Sequence, residues 1–412
     1  HRLRRAPPPP TVCACMPSRL PSLKVVLILL APCLLALGIW LGAHPRFLPA
    51  AIADAFVGEE RRVTLQALDT IADRYYRAVS RGQLSDAAIA GAVKDLDDRF
   101  SAYLSPKQYG AFQESLDNAF SGIGTAIRGV SDGLRIETVY ADSPARRAGL
   151  RVGDVVIAAG GKKLAGLSEE AATALIKGPE GTPVALMLRR GKRTFSRRVT
   201  RARISVPVVR SKIANAGGAR AGYVALSTFG PRTAHVEMAN AIRRLKRRKA
   251  KGFVLDLRGN GGGLVTEAQL IASMFIADGP IVTTRGRAVQ ERTLSAVGQP
   301  IAGRLPTVVL VDGGTASASE IVAGALQDTK RAKLVGVNTF GKGVFQEILP
   351  LQNGGALDIT VGQYFLPSGR NLGGVGTKSG SGLKPDVRVR DDPRTKRDEV
   401  LDRALDVLAT EL

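Results

Sequence analysis

The spacing of apolar positions changes twice along the chain. From residue 60 to 118 it is helical, with Leu65, Leu68, Ala72, Tyr75 and Val79 along one stripe. A second helix is expected over "SDAAIAGAVKDL", with Ser85 as its N-cap. From about residue 120 the pattern turns to short strands between glycine turns: "SGIGTAIRG", "GLRIETVY", "GDVVIAAGG", "PVALMLRRG" and "TFSRRVTR". One helix interrupts them, "LSEEAATALIKG", capped by Ser168 and stopped by Gly178. Beyond about residue 220 strands such as "GYVALSTF", "GFVLDLRG", "PIVTT", "TVVLVD" and "KLVGV" alternate with helices over 232–248, 264–276 and 317–328. Such alternation predicts an α/β region. A glycine-rich stretch follows over 353–384, and a charged helix over 397–411 closes the chain.

Composition narrows this picture. A chain of 412 residues with 44% hydrophobic content supports two or three cored domains. The net charge is +23, with basic runs "RRGKRTFSRR" and "RRLKRRKAK". Neither run carries a nucleic-acid motif, so they read as a basic hairpin and a solvated helix end. All three cysteines, Cys13, Cys15 and Cys33, precede residue 34, so no disulfide frames the later domains, and no histidine completes a metal site near them. After the basic "PSRLPSLK" comes "VVLILLAPCLLALGIWLGA", residues 25 to 43, without a charge. A basic flank before such a run reads as an export signal or a membrane anchor. The chain starts at His1, and Met16 precedes the apolar run at a typical distance, so residues 1–15 are expected to lie upstream of the natural start.

Candidate chemistry concentrates in "DGGTASASEIVAGALQDTK", where Thr315, Ser317 and Ser319 crowd a predicted helix start. By itself Ser317-Ala-Ser-Glu320 is a capping box. A nucleophilic hydroxyl needs a base. Histidine is nearly excluded by count, because beyond residue 44 only His235 remains, and it sits in an amphipathic helix. Lysine is the known alternative. Lys342 stands between Gly341 and Gly343 just after a predicted strand, and "DLRGNGGG" supplies glycines whose N–H groups could meet an oxyanion. Each segment also has a plain structural reading: a capped helix, a solvated lysine, a tight turn.

Taken together, "TASASEI" followed by "FGKG" resembles the carboxy-terminal processing proteases, Ser/Lys peptidases that carry a PDZ domain. "LDDRFSAYLSP", "SGIGTAI", "DLRGNGGG", "YFLPSGR" and "LKPDVRV" resemble further blocks of that family, over roughly residues 60 to 390. The resemblance implies an α+β multidomain chain: a basic segment (1–24), a signal peptide or anchor (25–43), a helical region (50–118), a PDZ domain (119–205), a crotonase- or ClpP-like α/β protease core (206–395) and a C-terminal helix (396–412). It implies Ser317 as nucleophile, Lys342 as general base and Gln346 as its orienting partner. The oxyanion donors would be the N–H groups of Ala318 and Gly262, and Gly122, Ile123 and Gly124 would receive a substrate's terminal carboxylate. Asp312 stands where many relatives carry Asn, outside the catalytic pair. The implied partners are the C-terminal tails of protein substrates and, through the apolar segment, a membrane, with no cofactor and no nucleic acid. An adaptor protein and a homo-oligomer are left open. The expected location is the periplasm or the outer face of the inner membrane. The competing classes are a catalytically silent PDZ-bearing scaffold and a crotonase-like acyl-CoA enzyme.

Overall fold

The computed structural model describes residues 59–116, 119–374 and 381–412. The apolar run 25–43 lies outside them. Among the described residues no helix is long and apolar enough to cross a membrane. The chain falls into two units, residues 1–88 and 89–412.

The first unit holds helix α1 (Glu59–Arg74) and the start of α2 (Arg81–Lys94). Arg81 binds both Asp69 and Asp73 of α1, at 2.8 and 2.9 Å. Helix α2 begins before the expected Ser85 cap. The reason is local: the Ser80 hydroxyl accepts from Gln83 N–H at 3.2 Å, and the Gln83 side chain accepts from Ser80 N–H at 3.4 Å. This reciprocal S-x-x-Q cap outcompetes Ser85, which becomes a residue inside the helix. Along the stripe, Leu65 and Tyr75 are exposed while Leu68, Ala72 and Val79 are half-buried.

The second unit opens with an exception to the helical reading. Residues Ala102–Leu104 form strand β1 before helix α3 (Pro106–Leu116). Its partner lies some 250 residues away in the chain, so the tertiary ladder overrides the local period. Strand β2 (Ala119–Gly122) then leads into a small antiparallel module. This contains β3 (Thr125–Val130), β4 (Gly133–Val139), α4 (Pro144–Arg147), β5 (Val155–Ala159), β6 (Lys162–Lys163), α5 (Glu169–Ile176), β7 (Pro183–Arg190) and β8 (Arg193–Thr200). The sheet order is β3-β4-β5-β7-β8, and Leu134, Ile136, Val156, Leu186 and Leu188 fill its core. Ser168 caps α5 as expected, accepting from Ala171 N–H at 3.2 Å. Strand β9 (Ala202–Ser205) leaves the module beside β2, antiparallel to it.

The remainder is α/β. Strand β10 (Val209–Ala216) forms a hairpin with β11 (Ala219–Leu226); α6 (Ala234–Arg247), β12 (Gly252–Asp256) and α7 (Val265–Ala272) follow. After β13 (Pro280–Arg285) and β14 (Arg292–Ser295) come β15 (Thr307–Val311), α8 (Ala318–Asp328) and β16 (Lys333–Gly336). The chain closes with β17 (Val344–Pro350), β18 (Ala356–Phe365), β19 (Val387–Arg388) and α9 (Glu399–Ala409). Strands β11, β12, β15, β16 and β19 run parallel in one sheet. Every residue of β12 and β15 is buried, which the apolar runs Phe253–Leu255 and Val308–Val311 anticipate. Phe253 and Leu255 face α6 to α8, while Val254 faces α9. A second, antiparallel sheet has the order β1-β18-β13-β14, with β17 also on β18. Strand β18 falls in the stretch read only as glycine-rich, because Gly354, Gly355 and Gly362 mask the strand formers Ile359, Thr360, Val361, Tyr364 and Phe365.

Candidate active site

Three turns leave the C-terminal ends of β12, β15 and β16 and are tied to one another by buried polar groups. In the first turn, Asn260 is fully buried. Its Nδ2 donates to Leu226 O at 2.8 Å, and its own carbonyl accepts from Ala316 N–H at 3.0 Å and Ser319 Oγ at 2.8 Å. In the second turn, Thr315 Oγ1 donates to Leu257 O at 2.9 Å, and Asp312 Oδ1 accepts from Gly259 N–H and Gly314 N–H, each at 2.9 Å. Burying such groups without partners is costly, so these bonds fix the two turns against each other.

Ser317 ends the second turn at φ 57, ψ −119, a backbone region unusual for a side chain larger than glycine. Gly262, at φ 100, packs directly against it. A Cβ there would lie 2.7 Å from Ala316 O, 2.9 Å from Ala318 N and 2.9 Å from Ser317 Cβ. Only glycine permits this approach.

The third turn carries Lys342, and one carboxylate joins it to the serine. Glu320 is fully buried in the first turn of α8. It accepts from Ser317 N–H at 2.9 Å, Thr339 Oγ1 at 2.5 Å, Gly341 N–H at 2.7 Å and Lys342 N–H at 3.0 Å. Burial pushes its carboxyl above the usual range, and these four donors offset part of that. The Tyr364 hydroxyl donates to the Lys342 carbonyl, so the lysine backbone is fixed from two sides.

The Lys342 side chain is half-buried. Its Nζ donates to Gln346 Oε1 at 2.6 Å and lies 4.7 Å from the Phe100 ring centroid. Gln346 Nε2 donates to Thr360 Oγ1 at 2.9 Å, and Thr360 N–H donates to Ser101 Oγ at 3.0 Å. Ser101 Oγ in turn donates to Asp98 at 2.5 Å. Burial lowers the Lys342 pKa below the ordinary lysine value, against the pull of Asp358, Asp98 and Glu320. Burial raises the Asp358 carboxyl. Asp98 also feels burial, but hydrogen bonds from Ser101, Thr360 and the Phe100 N–H hold it below the usual carboxylate range.

Ser317, Lys342, Gln346 and Asp358 line one cleft of about 290 Å³, walled by Phe112, Leu116, Phe345 and Ile348. A model of peptidase family S41 matches residues 220–389, and a PDZ-domain model matches residues 135–190. Carboxy-terminal processing protease CtpB of Bacillus subtilis (strain 168) is 33% identical over 330 residues, covering 79% of this chain and 67% of that protein. The chain belongs to the carboxy-terminal processing proteases of family S41. It is a serine-type peptidase with a PDZ domain, and an acyl-CoA enzyme is thereby set aside. The carboxyl-terminal-processing protease of a Synechocystis species is 37% identical over 294 residues, covering 70% of this chain and 68% of that one. A putative S41 protease structure from Bacteroides fragilis, 20% identical, superimposes with a TM-score of 0.50 over 84% of this chain and 97% of that one, which bears on the fold alone.

In this S41 peptidase the expected residues divide between two places. Ser317, Lys342 and Gln346 share the cleft, and Ala318 is the first residue of α8. Gly262 departs from expectation. Its N–H donates to Asn260 Oδ1 at 3.0 Å, so it is engaged within its own turn, and Gly261 and Gly263 line the cleft instead. Gly122, Ile123 and Gly124 line a separate groove of about 290 Å³ against Thr173, Ile176 and Lys177 at the end of α5. Gly124, at φ 84, packs on Ser143, where a Cβ would come within 2.3 Å of the Ser143 Cβ. His235 bonds Glu267 at 2.9 Å, in keeping with its plain structural reading. Sequence reasoning did not single out Asp98, Phe100, Ser101, Asn260, Asp358 and Thr360. Three of them lie in "LDDRFSAYLSP", whose density of polar residues beside two aromatics was the available signal.

Proposed function

We propose that this peptidase recognises the C-terminal tails of protein substrates in its PDZ groove and cleaves them through a Ser317/Lys342 dyad. The observation that carries the reading is the half-buried Lys342, bonded to Gln346 in the cleft that Ser317 lines. An ordinary lysine is neutral in roughly one molecule in 2,500 at pH 7. Burial increases that fraction and makes the amine a usable base. Gln346 accepts one Nζ hydrogen and so orients the nitrogen lone pair.

Ser317 Oγ attacks the scissile carbonyl as Lys342 takes its proton. The tetrahedral oxyanion forms beside the Ala318 N–H, where the N-terminal dipole of α8 favours negative charge. Collapse expels the amine, which takes the proton back from Lys342, and leaves an acyl-enzyme. Water, deprotonated by Lys342, then releases the acid and restores Ser317. In the PDZ domain, β3 is an edge strand, paired among the described residues with β4 alone, so an extended tail can add to it. The tail's carboxylate would meet the Gly122-Ile123-Gly124 turn and its last side chain the apolar Ile123 and Ile176. The apolar run 25–43 supports export to the periplasm or the outer face of the inner membrane.

Ser317→Ala, Lys342→Ala and Lys342→Arg each test the dyad. Arginine stays protonated and cannot accept the hydroxyl proton. Each variant should lower cleavage of an unfolded test protein by roughly a thousandfold or more while unfolding thermally like the parent. Near-parental rates in either lysine variant would remove Lys342 from the role of base, and in Ser317→Ala would remove the nucleophile.

A further inference from the structure

Strands β11, β12, β15 and β16 are parallel, so all their N-terminal ends lie at the end of the sheet opposite the catalytic turns. That end collects cations. The run "RRLKRRKAK", 243 to 251, holds seven of them and no acid, covering the last turn of α6 and the approach to β12. Arg220 at the start of β11 donates to Arg248 O at 3.3 Å, and Lys246 donates to Ile301 O at 2.8 Å, close to Arg304 before β15. Lys330, before β16, continues the row. All seven cations of the run, together with Arg220, Arg304 and Lys330, are exposed. Among the described residues none of these ten forms an ion pair. Two acidic groups at this end are committed elsewhere: Glu411 pairs with Lys333 at 2.9 Å, and Asp386 accepts from Leu334 N–H at 2.7 Å.

Helix-dipole stabilisation does not account for the cluster. That effect falls off within the last turn and is served by two or three cations. Here Arg243 and Arg247, and Arg244 and Arg248, sit at the i,i+4 spacing at which like charges repel. A concentrated, unneutralised patch calls for an anionic partner. We infer that this end of the protease domain docks on an anionic lipid bilayer, which turns the catalytic cleft away from the membrane. Charge complementarity calls for an anionic partner, and the make-up of the run favours a lipid surface over single-stranded nucleic acid. The only apolar residues in the run, Leu245 and Ala250, are buried, and it contains no aromatic on which a base could stack. The uncharged run 25–43 offers a second membrane signal in the same chain. Each basic residue near an anionic leaflet adds roughly fivefold to partitioning.

The test uses the full chain reconstituted with vesicles of phosphatidylcholine alone and of phosphatidylcholine with phosphatidylglycerol. The apolar run sees both, so the readout is local: acetylation of Lys249 and Lys251 by a soluble reagent, with exposed Lys107 and Lys162 as references. Protection of Lys249 and Lys251 by about threefold or more is expected with phosphatidylglycerol only. It should be lost in 0.5 M salt, where the Debye length falls to roughly 4 Å. The quadruple variant Arg243→Gln, Arg247→Gln, Arg248→Gln, Lys251→Gln, checked by thermal unfolding, should lose the protection of Lys249. Equal modification on both vesicles, equal protection of the reference lysines, or protection by single-stranded DNA but not by phosphatidylglycerol would each overturn the inference.

Discussion

The PDZ groove and the catalytic cleft are built in opposite ways. The groove uses two short stretches, Gly122 to Ile127 and Thr173 to Lys177, with Tyr140 between them in sequence, inside one small module with its own core. The cleft draws on α3, on the turns after β12, β15 and β16, and on β17 and β18, so its residues run from Phe112 to Asp358. Behind it, Thr360 N–H bonds Ser101 across 259 positions of sequence. Damage to the groove should therefore stay local, whereas damage to the cleft depends on which turn is displaced.

The sharpest break in that contrast is Gly262→Ala. The added methyl meets Ala316 O, Ala318 N and Ser317 Cβ at under 3 Å, so it displaces the nucleophile's turn. Turnover should fall on the order of a hundredfold, as misplacements near 1 Å do. Tail-peptide binding, measured by titration, should be unchanged; a parallel loss of binding would mean that the two regions are not separable.

The reciprocal change is made on the substrate and in the groove. Amidating a substrate's C-terminus removes a charge-assisted hydrogen bond, which corresponds to roughly a ten- to 150-fold loss of tail affinity. Gly124→Ala should act in the same direction, because its methyl collides with Ser143. Both should appear as a raised KM at sub-saturating substrate with kcat retained. Equal cleavage of free and amidated tails would leave the groove without a part in substrate capture.

The smallest expected effect concerns pH. Cleavage should rise with pH as Lys342 loses its proton, along a limb lying below that of an ordinary lysine, because burial disfavours the ammonium form. Asp358 opposes this, since a carboxylate favours the ammonium form. Asp358→Asn should move the limb toward lower pH and increase the rate about two- to fivefold on its acid side. A limb that stays in place, or moves up, would show that Asp358 does not act on Lys342.

The same contrast explains what could be read from the sequence. The groove was legible because its signals are local: a glycine turn opening a strand, and a helix with its Ser168 cap. In the cleft, the Ser317, Lys342 and NGGG turns were legible for the same reason, each being a short stretch after a predicted strand. The groups around Lys342 were not. Phe100 and Asp98 lie more than 240 residues before the lysine, and Thr360 and Asp358 lie on a strand disguised by glycines. Asn260 was hidden differently: its neighbours announced a turn, but nothing in a turn sequence says that its side chain is fully buried and ties that turn to Leu226.

The adjacency of β2 and β9 has a consequence for how the chain folds. Gly122 pairs with Ala202, so the PDZ domain leaves the chain and returns to it at neighbouring positions. If that domain folds early, about 80 residues of loop are already closed when β1 seeks β18. The loop that the β1–β18 pairing must close shortens from roughly 250 to roughly 170 residues, which lowers its closure cost by about 0.3 kcal/mol. A high-contact-order pairing that would otherwise slow the search then becomes more local.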